Sequence, residues 1–180
     1  MKKTLILTCN TGEGHNSAAG AIKTVFDAAG CECVIADALR FVSSFVSNAF
    51  KNWHSRIYRY APKAFEKGYS LLETHASFID DNSPLYYFLT SGAGKLHRFI
   101  LAGGYEAVIC VHPIAALIVT RLIKKRSLPV TTCFVSTDYT CSPTVPETEL
   151  DMYFIPHEDL KDEFSAYGIP REKLYASGIP

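Results

Sequence analysis

Leu5-Ile6-Leu7-Thr8-Cys9-Asn10-Thr11-Gly12-Glu13-Gly14-His15 runs from a short apolar strand signal into a glycine-rich turn. An Ala-rich stretch follows at once. From Ser17 to Ala29, Ala18, Ala21, Ile22, Val25, Phe26 and Ala29 recur at helical spacing. Gly12 and Gly14 therefore sit at a strand-to-helix turn, where the backbone can approach a ligand with no Cβ in the way. The N–H groups that open the helix favour an anionic or oxygen-rich group there. His15 adds a side chain able to hydrogen-bond or to exchange a proton near neutral pH. The turn predicts an α/β domain whose ligand site lies at the carboxyl end of its first strand.

Outward from that turn, strand and helix signals alternate. Strands are predicted at Thr4–Cys9, Glu32–Asp37, Ala107–Val111, Pro129–Val135 and Met152–Ile155. Helices are predicted at Glu13–Ala29, at Ile114–Lys125 with Pro113 near its start, and at Glu158–Tyr167, stopped by Gly168 and Pro170. This alternation predicts a Rossmann-like, three-layer domain: a parallel sheet covered on both faces, with ligands gathering beyond the carboxyl ends of the strands. A helical insertion, about residues 39–102, interrupts the pattern and is broken near Ala61-Pro62 and Ser83-Pro84. In its first part Phe41, Val42, Phe45, Val46, Ala49, Phe50, Trp53, Ile57 and Tyr60 repeat at helical spacing. Lys51, Arg56, Arg59, Lys63 and Lys67 give the polar side a basic excess. That pattern fits a membrane-interfacial helix; taken alone it fits better an ordinary amphipathic helix whose apolar face packs on the sheet.

Composition narrows the function classes. The 180 residues are enough for one large domain, and 18 Lys and Arg balance 18 Asp and Glu. Nucleic acid is therefore not the expected partner. No apolar run approaches the roughly 18 residues of a membrane span. The six cysteines, Cys9, Cys31, Cys33, Cys110, Cys133 and Cys141, form no paired metal-ligand spacing and read as reduced, structural thiols. No Asp-x-Asp pair stands near a strand end, so no metal and no cofactor is called for. The expected setting is the cytoplasm, peripheral to a membrane.

Three chemistries compete for the glycine-rich turn. As a dinucleotide fingerprint it lacks the third glycine, although Asp37 stands where a ribose-binding acid would serve an oxidoreductase or epimerase. A phosphate-binding P-loop is excluded, because no Gly-Lys-Ser/Thr follows. In the third reading, His15, His112 and the Thr137-Asp138 pair occupy three strand ends and converge on one cleft. His15 or Asp138 is then the candidate general base toward a hydroxyl. A non-catalytic membrane-docking module is the remaining alternative.

Thr11-Gly12-Glu13-Gly14-His15 with Ser17-Ala18-Ala19, His112-Pro113, Val135-Ser136-Thr137-Asp138 and Tyr175-Ala176-Ser177-Gly178-Ile179-Pro180 resembles the monogalactosyldiacylglycerol synthase and processive diacylglycerol glucosyltransferase family. The resemblance runs the length of this chain but covers only the N-terminal half of the family's enzymes. It implies a GT-B fold, of which residues 1–180 are the acceptor-binding half, with a C-terminal donor-binding domain absent from this chain. It implies transfer of a hexose from a UDP-sugar to a membrane lipid such as diacylglycerol, with His15 as base toward the acceptor hydroxyl. By the same resemblance Asp138 is the acid of the Thr-Asp motif. Gly12, Gly14 and His112 are expected against donor phosphates or acceptor. Trp53, Lys51, Arg56, Arg59 and Lys63 fall where the family docks on membrane. Asn10 and Ser142 depart from the aspartate and histidine of relatives.

Overall fold

The computed structural model describes residues 3–9, 13–48, 83–126 and 128–180. Six parallel strands lie in the order β2-β1-β3-β4-β5-β6. They are β1 (Lys3–Thr8), β2 (Glu32–Asp37), β3 (Ala107–Cys110), β4 (Thr131–Val135), β5 (Met152–Ile155) and β6 (Leu174–Ala176). The helices are α1 (Glu13–Ala28), α2 (Leu39–Val42), α3 (Pro84–Leu89), α4 (Ala93–Gly103), α5 (Pro113–Lys125) and α6 (Lys161–Ala166). This is the α/β, Rossmann-like sheet that the alternation predicts. The chain leaves β1 toward β2 on one side and returns to β3 on the other. The sheet therefore reverses its winding between β1 and β3, and a crevice opens at the carboxyl ends of that pair.

Side chains one residue apart on each strand serve opposite faces. Leu5, Leu7, Val108, Cys110, Phe134 and Tyr153 pack with Leu96 and Ile100 of α4, Ile118 and Leu122 of α5, and Phe164 of α6. Ile6, Ile109, Cys133 and Val135 pack with Ala19 and Ile22 of α1 on the second face. That face is only half covered among the described residues. Beside α1 an apolar trough of about 320 Å³ runs over β3, β4 and β5, floored by Ile109, Cys133, Val135 and Phe154 and flanked by Phe26 and Pro180.

Several boundaries follow from local chemistry. Ser83 caps α3 by accepting from the Tyr86 N–H at 3.0 Å, with Pro84 in the first turn, so the predicted break at Ser83-Pro84 is a helix start. Gly104, in the left-handed region at φ 63°, ends α4. The predicted helix through Phe41 and Phe45 is interrupted instead of continuous. Ser43 is extended, and its hydroxyl accepts from the Phe45 N–H at 3.2 Å, which starts a new helical turn at 44–48. The predicted helix at Glu158–Tyr167 is a 3-10 turn, Glu158–Leu160, running into α6. The strand β6, three residues long, has no counterpart among the five predicted strands.

The start of α4 lies directly on the backbone of α2. A Cβ on Gly92 would stand 2.6 Å from both Phe41 C and Val42 N. Gly92→Ala is expected to destabilise the fold by at least about 1–3 kcal/mol in urea titrations, because backbone cannot rotate aside as a side chain can. An unchanged unfolding midpoint would contradict this close approach.

Candidate active site

The strand ends set the site. Thr8 closes β1, and its hydroxyl bonds Asn16 Oδ1 of α1 at 3.1 Å, which holds the first turn of α1 against its own strand. His15, one residue earlier, is half-buried. Its Nδ1 lies 3.0 Å from Thr137 Oγ1, just beyond the end of β4. Its ring meets that of His112 edge-on, with centroids 4.7 Å apart and planes at 60°. His112 follows β3 by two residues. The crevice between β1 and β3 is thus lined by one histidine from each side, with a threonine from the next strand bonded to the first.

His112 owes its orientation to the helix that it caps. Pro113 has no N–H, so Ile114 supplies the donor at the start of α5, and His112 Nδ1 accepts from it at 3.1 Å. A nitrogen that accepts carries no proton, so this bond assigns the proton of neutral His112 to Nε2. Nε2 is thereby the donor of the neutral His112 ring. His157 caps the turn after β5 in the same way, accepting from Asp159 N at 3.3 Å, but it is exposed.

Of the residues singled out in the sequence, His15 and His112 are brought together, and Gly14 lies one residue before His15 in the first turn of α1. Among the described residues, a Cβ added at Gly14 would meet no neighbouring atom within 4 Å. Asp138 is exposed, and the contact to His15 comes from its neighbour Thr137 instead. Gly12 lies outside the described residues, as do Trp53, Lys51, Arg56, Arg59 and Lys63. The Thr137-Asp138 pair was expected at this cleft, but the role was given to the carboxylate and not to the threonine.

The acid of the dinucleotide reading serves the fold. Both carboxylate oxygens of Asp37 are engaged, one accepting from the Leu39 N–H at 2.9 Å and the other from the Ser47 hydroxyl. Asp37 thus ties α2 and the 44–48 turn to the end of β2, a structural role that by itself accounts for an acid at this strand end. Cys9, directly after β1, is buried. Burial, reinforced by the Asp37 charge, pushes its thiol well above the usual range. Among the described residues, no three His, Cys, Asp or Glu side chains gather as a metal site would require.

The pattern that describes monogalactosyldiacylglycerol (MGDG) synthase matches residues 15–180. The chain belongs to this family. Among individual members, the processive diacylglycerol beta-glucosyltransferase of Staphylococcus saprophyticus is 24% identical over 182 residues, covering 99% of this chain and 44% of its own length. The protein of the same name from Bacillus cereus is 26% identical over 179 residues, covering 99% of this chain and 45% of its own. The chain thus spans less than half the length of these relatives. Among solved structures, the apo lipopolysaccharide outer core galactosyltransferase WaaB superposes with a TM-score of 0.53 at 12% identity, over 98% of this chain and 45% of that one. That likeness establishes shared architecture: the Rossmann-like sheet expected for half of a GT-B fold.

Proposed function

We propose that this chain is the acceptor-binding half of a glycosyltransferase that moves a hexose from a UDP-sugar to a membrane lipid such as diacylglycerol. The observation that carries the reading is the His15–His112–Thr137 cluster at the winding reversal, in a chain matched end to end by diacylglycerol glucosyltransferases. A second, donor-binding domain completes the enzyme. The relatives' greater length supports that arrangement.

In this reading the acceptor hydroxyl oxygen attacks C1 of the hexose. The new C–O bond forms as the bond from C1 to the UDP phosphate breaks, inverting C1, and the electron pair leaves with UDP. His15 takes the hydroxyl proton. His112, held with its proton on Nε2, donates to an oxygen of acceptor or donor. Gly12 and Gly14 leave room for the phosphates near the positive end of α1. Asp138 stands beside Thr137 as the second candidate acid–base group. No described helix is long and apolar enough to cross a membrane. Attachment is assigned to Trp53, Lys51, Arg56, Arg59 and Lys63, acting at the membrane surface.

The test is transfer of labelled hexose from UDP-glucose and UDP-galactose to diacylglycerol in vesicles, catalysed by the natural full-length protein. Labelled glycosyl-diacylglycerol is expected from at least one donor. Failure with both, by folded protein, overturns the reading. Charge reversal at Lys51, Arg56, Arg59 and Lys63 is expected to release the protein from anionic vesicles in sedimentation, and intact binding removes the docking assignment.

A further inference from the structure

Thr137 and His15 lie 122 residues apart in sequence, yet the Thr137 hydroxyl meets His15 Nδ1 at 3.0 Å. The threonine is firmly placed. The preceding residue, Ser136, is buried; its N–H donates to Phe154 O at 2.9 Å, and its hydroxyl donates to the Asp138 carbonyl at 3.2 Å. The loop leaving β4 is therefore pinned to β5 on one side and folded onto itself on the other. A β-branched side chain in such a loop has little χ1 freedom, so its hydroxyl is aimed and not merely nearby.

The direction of this bond decides what His15 can do. A hydroxyl can give or accept a proton, whereas each ring nitrogen of neutral histidine has one role, set by its partner's. If Nδ1 donates to Thr137, the ring's basic nitrogen is Nε2, the distal atom. If Nδ1 accepts, Nε2 carries the proton and cannot take another. The second arrangement would give His15 the tautomer that the α5 cap already imposes on His112. Two rings 4.7 Å apart would then both present donors, and neither would be a base.

We infer that Thr137 is a positioning residue for His15: its hydroxyl accepts from Nδ1–H and holds the tautomer whose basic nitrogen is Nε2. The inference rests on the glycosyltransferase reading, which calls for a base at this position; the geometry supplies the contact, and the tautomer is tested apart from turnover. His15 and His112 then form a complementary pair, a base at the end of β1 and a donor at the end of β3. Thr137 and the Ile114 N–H supply the two bonds that make them different.

The test uses Thr137→Val, which keeps shape and removes the hydroxyl, and Thr137→Ser, which keeps the hydroxyl, both in the natural full-length protein. Long-range ¹H–¹⁵N spectra of histidine-labelled protein, with His15 assigned by its loss in His15→Gln, read the tautomer directly. The parent protein and Thr137→Ser are expected to show the proton on Nδ1, and Thr137→Val a shift toward Nε2. Thr137→Val is also expected to lower kcat about 10- to 100-fold with KM little changed, and Thr137→Ser to restore most of it. A parent His15 protonated on Nε2 overturns the inference. So does a Thr137→Val spectrum like that of the parent, or a Thr137→Ser protein as slow as Thr137→Val. If no transfer occurs in any form, the glycosyltransferase reading fails and the spectra still decide the role of Thr137.

Discussion

His15→Ala lowers transfer by the natural full-length protein about 10²-fold or more, because general-base catalysis by a positioned histidine is typically worth that much. The loss is expected in kcat. His15 lies outside both apolar clusters, so its removal opens no core cavity. Among the contacts described, the fold loses the hydrogen bond to Thr137, of order 1 kcal/mol, and the edge-on contact with His112, while α1 remains tied to β1 through Asn16 and Thr8. Activity and stability therefore separate at this position. They do not separate at His112, whose ring caps α5. His112→Ala should lower stability by about 0.5–2 kcal/mol as well as impair transfer. Steady-state kinetics beside urea titrations distinguish the two variants. Near-normal turnover by His15→Ala would remove it from the catalytic role and leave Asp138 as the group to examine.

The contrast between these two histidines explains what could be read before the fold was known. Both were visible as polar residues at predicted strand ends, because a parallel sheet leaves few other places for a polar group next to Val-, Ile- or Cys-rich runs. Their convergence followed from topology alone. The strands at Glu32–Asp37 and Met152–Ile155 were delimited correctly by their flanking turn residues. Three-residue β6 was not, since Leu174-Tyr175-Ala176 offers no alternation long enough to register. The break at Ser43 was hidden for another reason. Apolar spacing continues across it, and only the local bond from Phe45 N to the serine hydroxyl interrupts the helix. The Thr137-Asp138 pair was placed at the cleft, but the bond from Thr137 to His15 was not legible, because a pairing across 122 residues leaves no local trace. Asp37 shows the converse: a carboxylate at a strand end resembles a ribose ligand, and the bonds to Leu39 and Ser47 that account for it structurally are not visible in the sequence.

Alkali should unfold this protein sharply, and its cysteines are the reason. All six are free thiols, and Cys9, Cys33, Cys110, Cys133 and Cys141 are buried. Burial pushes Cys133 up to about 12, with the Asp151 charge adding to it, and Cys141 to about 12, with Glu163 adding. Burial likewise raises Cys9 and Cys110 well above the usual range. In the unfolded chain these thiols ionise near pH 8.5–9, while the folded state holds their protons. Between about pH 9 and 12 the folded form thus binds more protons than the unfolded one, so stability falls as pH rises. Each fully retained proton steepens the fall by about 1.4 kcal/mol per pH unit. The buried thiols all act in the same direction, and together they erode the 5–15 kcal/mol by which small domains are stable. Urea titrations under reducing conditions should show stability nearly flat between pH 7 and 8 and collapsing above pH 9.5. Cys133→Ala combined with Cys141→Ala should cost stability at pH 7 yet flatten the alkaline slope by roughly two protons, about 2.7 kcal/mol per unit. Stability that stays level to pH 10.5, or a slope that the double variant leaves unchanged, would mean that these thiols ionise as readily in the fold as outside it. Because Cys9 lies at the end of β1, where β1 feeds the turn that carries His15, loss of transfer at high pH should track this unfolding and not the titration of a catalytic group.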